Sequence, residues 1–300
     1  MAGTMSGAAY ILAAASMAAF AGPAGAASRR IAVLTDSRVP AYRQAAEALA
    51  RALPSPAVID AARLTGPNAL GAELRAAKAD ILVAVGSHPA DAVAAAGVPV
   101  ISSMTVDRRA YGGSAVGGVT LEVPLSGALA ELAGIWPEKR RIGVLRAASA
   151  GASPRPEAIQ QARRAGFEVV VAECAGPDRI IEALMTLKGK VDLVWCPPDA
   201  ALFNATTVPP LLMAALRNQL PVVGFSESFV KAGAAVGIYP DYADVGRQTA
   251  DLVNRYAVSG PGAGFEPPRR LRVAVNERVL RLIGLAVPAR QGGTSILRVQ

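Results

Sequence analysis

Residues 221–260 read PVVGFSESFVKAGAAVGIYPDYADVGRQTADLVNRYAVSG, and after a Pro-rich connector residues 271–276 read LRVAVN. The stretch opens on an apolar strand (221–225), turns through Ser226, Glu227 and Ser228, and enters a second strand (234–239). A helix capped by Asp241 follows, with Tyr242, Val245, Thr249, Leu252, Val253 and Tyr256 on one face. A lone strand then stands in front of a last short helix that Asn276 caps and that stops at Gly284-Leu285. Many strands and helices precede this stretch and little follows it. The chain therefore closes one lobe here, crosses back to the other, and crosses again, which predicts a two-lobed clamp.

Upstream, strands alternate with helices. Residues 30–34 form a continuous apolar run, as a parallel strand buried on both faces requires, and Tyr42, Ala45, Ala46, Leu49 and Leu53 follow at helical spacing. Strands over 57–59, 81–85 and 98–101 repeat the rhythm, with helices opened by Gly66-Pro67-Asn68 and by Ser87 with Pro89. The Gly-rich piece 111–119 reads as a hinge or a long surface loop, and the hinge is favoured because the pattern then restarts. A helix over 124–136 leads to RIGVL at 141–145, which nearly repeats the first strand about 110 residues on. Gly176-Pro177-Asp178 mirrors Gly66-Pro67-Asn68, 191–195 mirrors 81–85, and Pro221-Val222-Val223 mirrors Pro99-Val100-Ile101. Four matched elements in one order predict an α/β protein of two similar doubly wound parallel-sheet lobes. The lobes comprise 28–118 plus 241–268 and 119–240 plus 269–288, with a flexible tail over 289–300. The hinge has three crossings, near 116–123, 237–242 and 267–275.

Composition agrees with two domains of this kind. The 300 residues are 52% hydrophobic but only 5% aromatic, so the cores are built from Ala, Val, Leu and Ile. The formal charge of +8 is scattered without a dense Lys/Arg run, which argues against a nucleic-acid partner. Residues 1–27 hold a small-residue apolar run (10–20) followed by Pro-Ala-Gly-Ala-Ala, the pattern of an export signal peptide, although no Lys or Arg precedes the run. Export places the mature protein in the periplasm as a soluble monomer. Cys174 and Cys196 then meet oxidising conditions. In strand order 2-1-3-4-5 they end the second and third strands, about 9.6 Å apart. That exceeds the roughly 7 Å reach of a disulfide, so free thiols are expected.

Several residues together resemble the ABC-transporter substrate-binding protein family, in its tryptophan- and tyrosine-binding branch. They are Val85-Gly86, the run PEKRRIGV at 137–144, Pro198-Asp199, Gly233-Ala234, Asp244 with Gly246 and Ala250, and Asn276 leading to Gly284-Leu285 and Pro288. The resemblance spans about 30–288 and implies a type I periplasmic binding protein fold. It further implies an ABC permease as membrane partner and a small polar ligand, an amino acid or related carboxylate. The chain departs from the family at Ser87-His88-Pro89, where a hydroxyl and Ala are usual, at Asp107-Arg108, and near Leu280.

Open parallel sheets bind ligands beyond the carboxyl ends of their strands. By that rule the first lobe offers Thr35, Asp36, Ser37 and Tyr42, then Ser87 and His88, then Ser102 and Ser103. The second offers Arg146, Ser149 and Ser153, then Asp199, then Ser226 and Glu227, and finally Tyr239 and Asp241. The plainer reading is that several only cap helices, Ser87 and Asp241 among them. His88, the single histidine, reads either as a carboxylate donor or as a packed turn residue. Arg146 can fork onto a carboxylate or pair on the surface, and Tyr42 and Tyr239 can stack on a flat ligand. For the ligand that the resemblance implies, Asp36 and Asp199 suit an ammonium and Arg146 a carboxylate.

No nucleophile elbow, phosphate loop, dinucleotide fingerprint or zinc spacing occurs, so no catalytic residue, cofactor or metal is expected. Three roles stay open. They are a binding protein feeding an importer, the same clamp presenting ligand to a membrane receptor, and a two-lobe glycosyltransferase-like enzyme.

Overall fold

The computed structural model describes residues 29–66, 68–88, 90–106, 111, 114–149, 154–262, 264–287 and 296–299. The expected signal peptide and Ser153 lie outside them. The first lobe begins β1 (Ile31–Thr35), α1 (Pro40–Ala52), β2 (Ala57–Asp60), α2 (Ala69–Ala76), β3 (Ile81–Val85), α3 (Ala90–Ala94), β4 (Val100–Thr105) and β5 (Ala115–Thr120). Residues 121–124 cross to the second lobe. It runs α4 (Leu125–Ile135), β6 (Arg141–Ala147), α5 (Pro156–Arg164), β7 (Glu168–Cys174), α6 (Ile180–Leu187), β8 (Leu193–Trp195), α7 (Val208–Arg217), β9 (Val222–Gly224), α8 (Glu227–Lys231) and β10 (Val236–Pro240). At Asp241 the chain returns for α9 (Tyr242–Ser259) and β11 (Gly264–Glu266). Residues 267–270 cross a third time, into β12 (Leu271–Asn276), α10 (Glu277–Leu282) and β13 (Ile296–Val299).

The sheets run β11-β5-β4-β3-β1-β2 and β13-β12-β10-β9-β8-β6-β7, so the first five strands of each lobe share the order 2-1-3-4-5. The first sheet is parallel throughout, and in the second the one antiparallel pairing among the described residues is β10 with β12, so β12 and β13 run together against the other strands. β1 and β3 are buried at every residue because helices cover both faces. In the first lobe α1 and α9 cover one face over Val33, Val85 and Ile101, and the other face buries Leu34, Leu82 and Leu74. The second lobe repeats this, with Leu132, Val144 and Trp195 on one face and Leu145, Leu184 and Val194 on the other. Cys174 and Cys196 are buried free thiols on β7 and just past β8, strands that flank β6.

The structure departs from the sequence reading in three places. The Gly-rich piece is mostly β5, a strand of the first sheet through Thr120, so the first crossing starts only at Leu121. Glycine suits that position because Gly117 and Gly118 register against Ile101 and Ser102 of β4. The Gly/Pro loop after α9 contains β11, which pairs with β5. Residues 296–299, read as tail, form β13 beside β12, with Val273 opposite Ile296. The four residues of β13, ILRV, are too few to show a period.

Candidate functional site

The carboxyl ends of β1 and β3 meet at the point where strand order reverses, the place a doubly wound sheet reserves for ligands. Six of the sequence-selected residues gather there. Thr35 ends β1, buried, in register with Asp60 and Val85. Asp36 binds Arg38 twice, Oδ1 accepting from Nε at 2.9 Å and Oδ2 from Nη2 at 2.6 Å. These bonds hold its carboxyl down at about 2. The Ser37 hydroxyl donates to Asp60 at 2.7 Å and its N–H to the same carboxylate at 3.2 Å, which lowers Asp60.

Two tyrosines clasp the loop after β3. Gly86 has φ 94° and lies under the Tyr42 ring, whose hydroxyl accepts from the Ser87 N–H at 3.4 Å. The Tyr111 hydroxyl donates to the Gly86 carbonyl. His88 folds back over the strand end, its Nε2–H donating to the Val85 carbonyl at 2.9 Å. Since a carbonyl only accepts, the proton sits on Nε2. Burial pushes the imidazole below its ordinary 6.5, against the opposing pull of the Val85 carbonyl and Asp36.

Ser102 does not join this group. β4 continues to Thr105 instead of stopping at Ile101, so Ser102 is fully buried inside the strand opposite Gly118. Ser103 is likewise internal, its hydroxyl 2.8 Å from that of Thr249 on α9. These small hydroxyl residues continue the strand where an apolar pattern ends. The strand end instead carries Thr105, buried, after a register shift at which Met104 takes φ 62°. The hydroxyls of Thr35 and Thr105 have no hydrogen-bond partner among the described residues. Nothing in the sequence marks Thr105, because the apolar run that signals β4 stops at Ile101, four residues before the strand does.

In the second lobe Arg146, on β6, is paired with Glu173 of the neighbouring β7. Asp199, in the loop after β8, accepts from the Ala147 N–H at 2.9 Å and the Ala201 N–H at 3.0 Å. It therefore joins the β8 loop to the end of β6. Ser226 caps α8, accepting from the Phe229 N–H at 3.1 Å, and lies 2.9 Å from the Ser228 hydroxyl. Ser149 is exposed just beyond β6. Tyr239 is 3% exposed and packs on Tyr242 with ring centroids 5.8 Å apart. Burial, with Glu227 nearby, pushes its phenol up to about 12. Tyr242, which the sequence reading assigned only to a helix face, sits between the lobes, raised by burial and by the nearby Tyr239, Glu227 and Tyr42. Tyr239 is thus part of the inter-lobe packing and has little ring surface left for a ligand.

Among the described residues no three His, Cys, Asp or Glu side chains gather to hold a metal ion, and no helix is long and apolar enough to cross a membrane. The arrangement provides hydroxyls, backbone N–H groups and the Arg146 guanidinium at strand ends of two lobes.

Comparison with known proteins agrees with the fold. A family model described as ABC transporter substrate binding protein matches residues 67–260. A curated tyrosine-binding protein of Clostridioides difficile is 22% identical over 223 residues, covering 69% of this chain and 64% of that protein's length. The ligand-free, open structure of a substrate-binding protein with adhesive properties from Clostridium difficile superposes with a TM-score of 0.68 at 18% identity, covering 91% of this chain and all of that one. An ABC domain from Streptococcus pneumonia solved with L-Trp gives 0.55 at 17% identity, over 86% and 96% of the two chains.

Proposed function

Because the chain belongs to the ABC transporter substrate-binding protein family, we propose that it captures a small polar ligand between its lobes outside the cytoplasm and delivers it to an ABC importer, as a soluble periplasmic monomer. The family and fold are those of binding proteins. Within this reading the ligand is an amino acid or related carboxylate. Relatives named as binding tyrosine or solved with L-Trp support that class. In this reading one lobe is 29–120 with 241–266 and the other 121–240 with the segment from 271, each moving as a body.

One observation carries the reading: in both lobes the polar residues after the parallel strands collect at the carboxyl ends. The roles within the site are revised by the bonds already formed. Asp36 and Asp199 are occupied by Arg38 and by backbone N–H groups, so they shape loops. Thr35, Thr105 and Ser87 of the first lobe supply hydroxyl and N–H contacts. Arg146 supplies the carboxylate clamp, exchanging the exposed Glu173 for the ligand.

Native protein purified without refolding and then denatured should release its ligand for identification by mass spectrometry. Calorimetry of that ligand against Arg146→Ala should show binding weakened about ten- to a hundredfold, as for loss of a charged hydrogen bond. Unchanged affinity would remove Arg146 from the site.

A further inference from the structure

Asp244, Gly246 and Ala250 carry part of the family resemblance, yet they lie in the first two and a half turns of α9 and outside the ligand-facing loops. Gly246 lets α9 lie directly on α1, since a Cβ there would stand 2.1 Å from the Ala45 carbonyl oxygen. Asp244, 2% exposed, faces three guanidinium groups: Arg247 at 3.2 Å, Arg269 at 3.0 Å and Arg270 at 3.8 Å. Two of the three come from the third crossing. One turn along, Gln248 uses both ends of its amide on the same segment. Its Nε2 donates to the Pro267 carbonyl and to the Glu266 carboxylate, both at 3.0 Å, and its Oε1 accepts from the Arg269 N–H at 3.1 Å. Arg269 also reaches Asp251 at 2.8 Å, and Arg255 pairs with Glu266.

Past Arg269 the backbone partners change, although the Arg270 side chain still faces Asp244. The Asp241 N–H donates to the Arg270 carbonyl at 3.0 Å, and Arg272 Nε donates to the Asp241 carboxylate at 3.0 Å. Here the second and third crossings are tied to each other.

We propose that Asp244 and Gln248 are positioning residues for lobe closure, fastening residues 266–269 to the first lobe so that the third crossing bends only at Arg270 and Leu271, beside the second crossing at Asp241. This concerns the hinge and does not depend on which ligand the cleft takes. Two adjacent pivots define one axis, so the lobes rotate instead of sliding. A loosened third crossing admits more open orientations. That lowers the closed fraction and the apparent affinity without touching the ligand.

The test uses the full chain without ligand, spin-labelled at Arg51→Cys on α1 and Arg164→Cys on α5, both exposed, while Cys174 and Cys196 are buried. Asp244→Asn strands three arginines and puts folding itself at stake, so the informative variant is Gln248→Met, which keeps the volume and removes both ends of the bond set. Pulsed electron resonance should show a broader inter-lobe distance distribution in Gln248→Met under conditions where circular dichroism shows both proteins fully folded. Exchange protection of the Arg269 amide should match that of α9 in the parent and fall at least about fivefold in the variant, the equivalent of one hydrogen bond. Asn254→Met, exposed on the same helix, should leave both unchanged. A distribution as narrow as the parent's in Gln248→Met, or equal broadening in Asn254→Met, would overturn the proposal.

Discussion

The ring of Tyr42 lies over Gly86 so closely that a Cβ at Gly86 would come within 2.2 Å of it. With φ 94°, Gly86 also occupies backbone space that other residues enter only with strain. The two effects fix the loop that carries Ser87 and His88. Gly86→Ala should destabilise the protein by about 1–3 kcal/mol through overpacking. In a Tyr42→Ala background the same change should cost less, because only the backbone strain remains. Denaturant titrations of the four proteins in this cycle measure the coupling, and additive costs would show that ring and loop are independent.

Asp199 holds the N–H groups of Ala147 and Ala201. Asp199→Ala should therefore lower stability as well as affinity, by about 1–3 kcal/mol for the donors left without an acceptor. The exchange rate of the Ala147 amide should rise with it. A variant with weakened binding, unchanged stability and an unchanged Ala147 amide would return Asp199 to direct ligand contact.

His88 is the only imidazole, so its titration can be followed without assignment. Burial depresses its folded value below 6.5, so between the two values the unfolded chain binds the proton more readily. Its contribution to stability is fully present above 6.5 and is lost as pH falls toward the folded value. Unfolding free energy should decline from pH 7.5 to about 5, above the range of ordinary carboxylates. His88→Asn should flatten that slope. A nuclear resonance midpoint at or above 6.5 would contradict it.

Cys174 and Cys196 are both buried, and burial pushes both thiols up, Cys196 most strongly. Neither should react with a thiol reagent in the native protein at pH 8, and both should react after denaturation. An intact mass two hydrogens short would mean that they had bridged, which two intervening strand spacings of about 9.6 Å forbid.

Most elements were legible because strands buried on both faces leave continuous apolar runs. IAVLT and ILVAV announce β1 and β3 within a residue, and the matched runs in the second lobe announce its sheet in the same order. The Asp241 and Asn276 caps were legible for a local reason, since each side chain satisfies an N–H three residues on. β5, β11 and β13 were not. β5 and β11 carry glycines that interrupt an apolar pattern, and β11 and β13 have only three and four residues, too few to show a period.

The site divides along the same line. That Thr35, Asp36, Ser37, Ser87, Arg146, Asp199 and Ser226 would fall near strand ends was determined by the order of elements in the sequence. Which of them remain open to a ligand was decided only by tertiary structure. Arg38 lies two residues from Asp36, but Glu173, Ala147 and Asp60 reach Arg146, Asp199 and Ser37 only after parallel pairing brings distant strands 4.8 Å apart, the usual ladder spacing. A charge pattern records which groups exist, and the register of neighbouring strands decides which are already bonded.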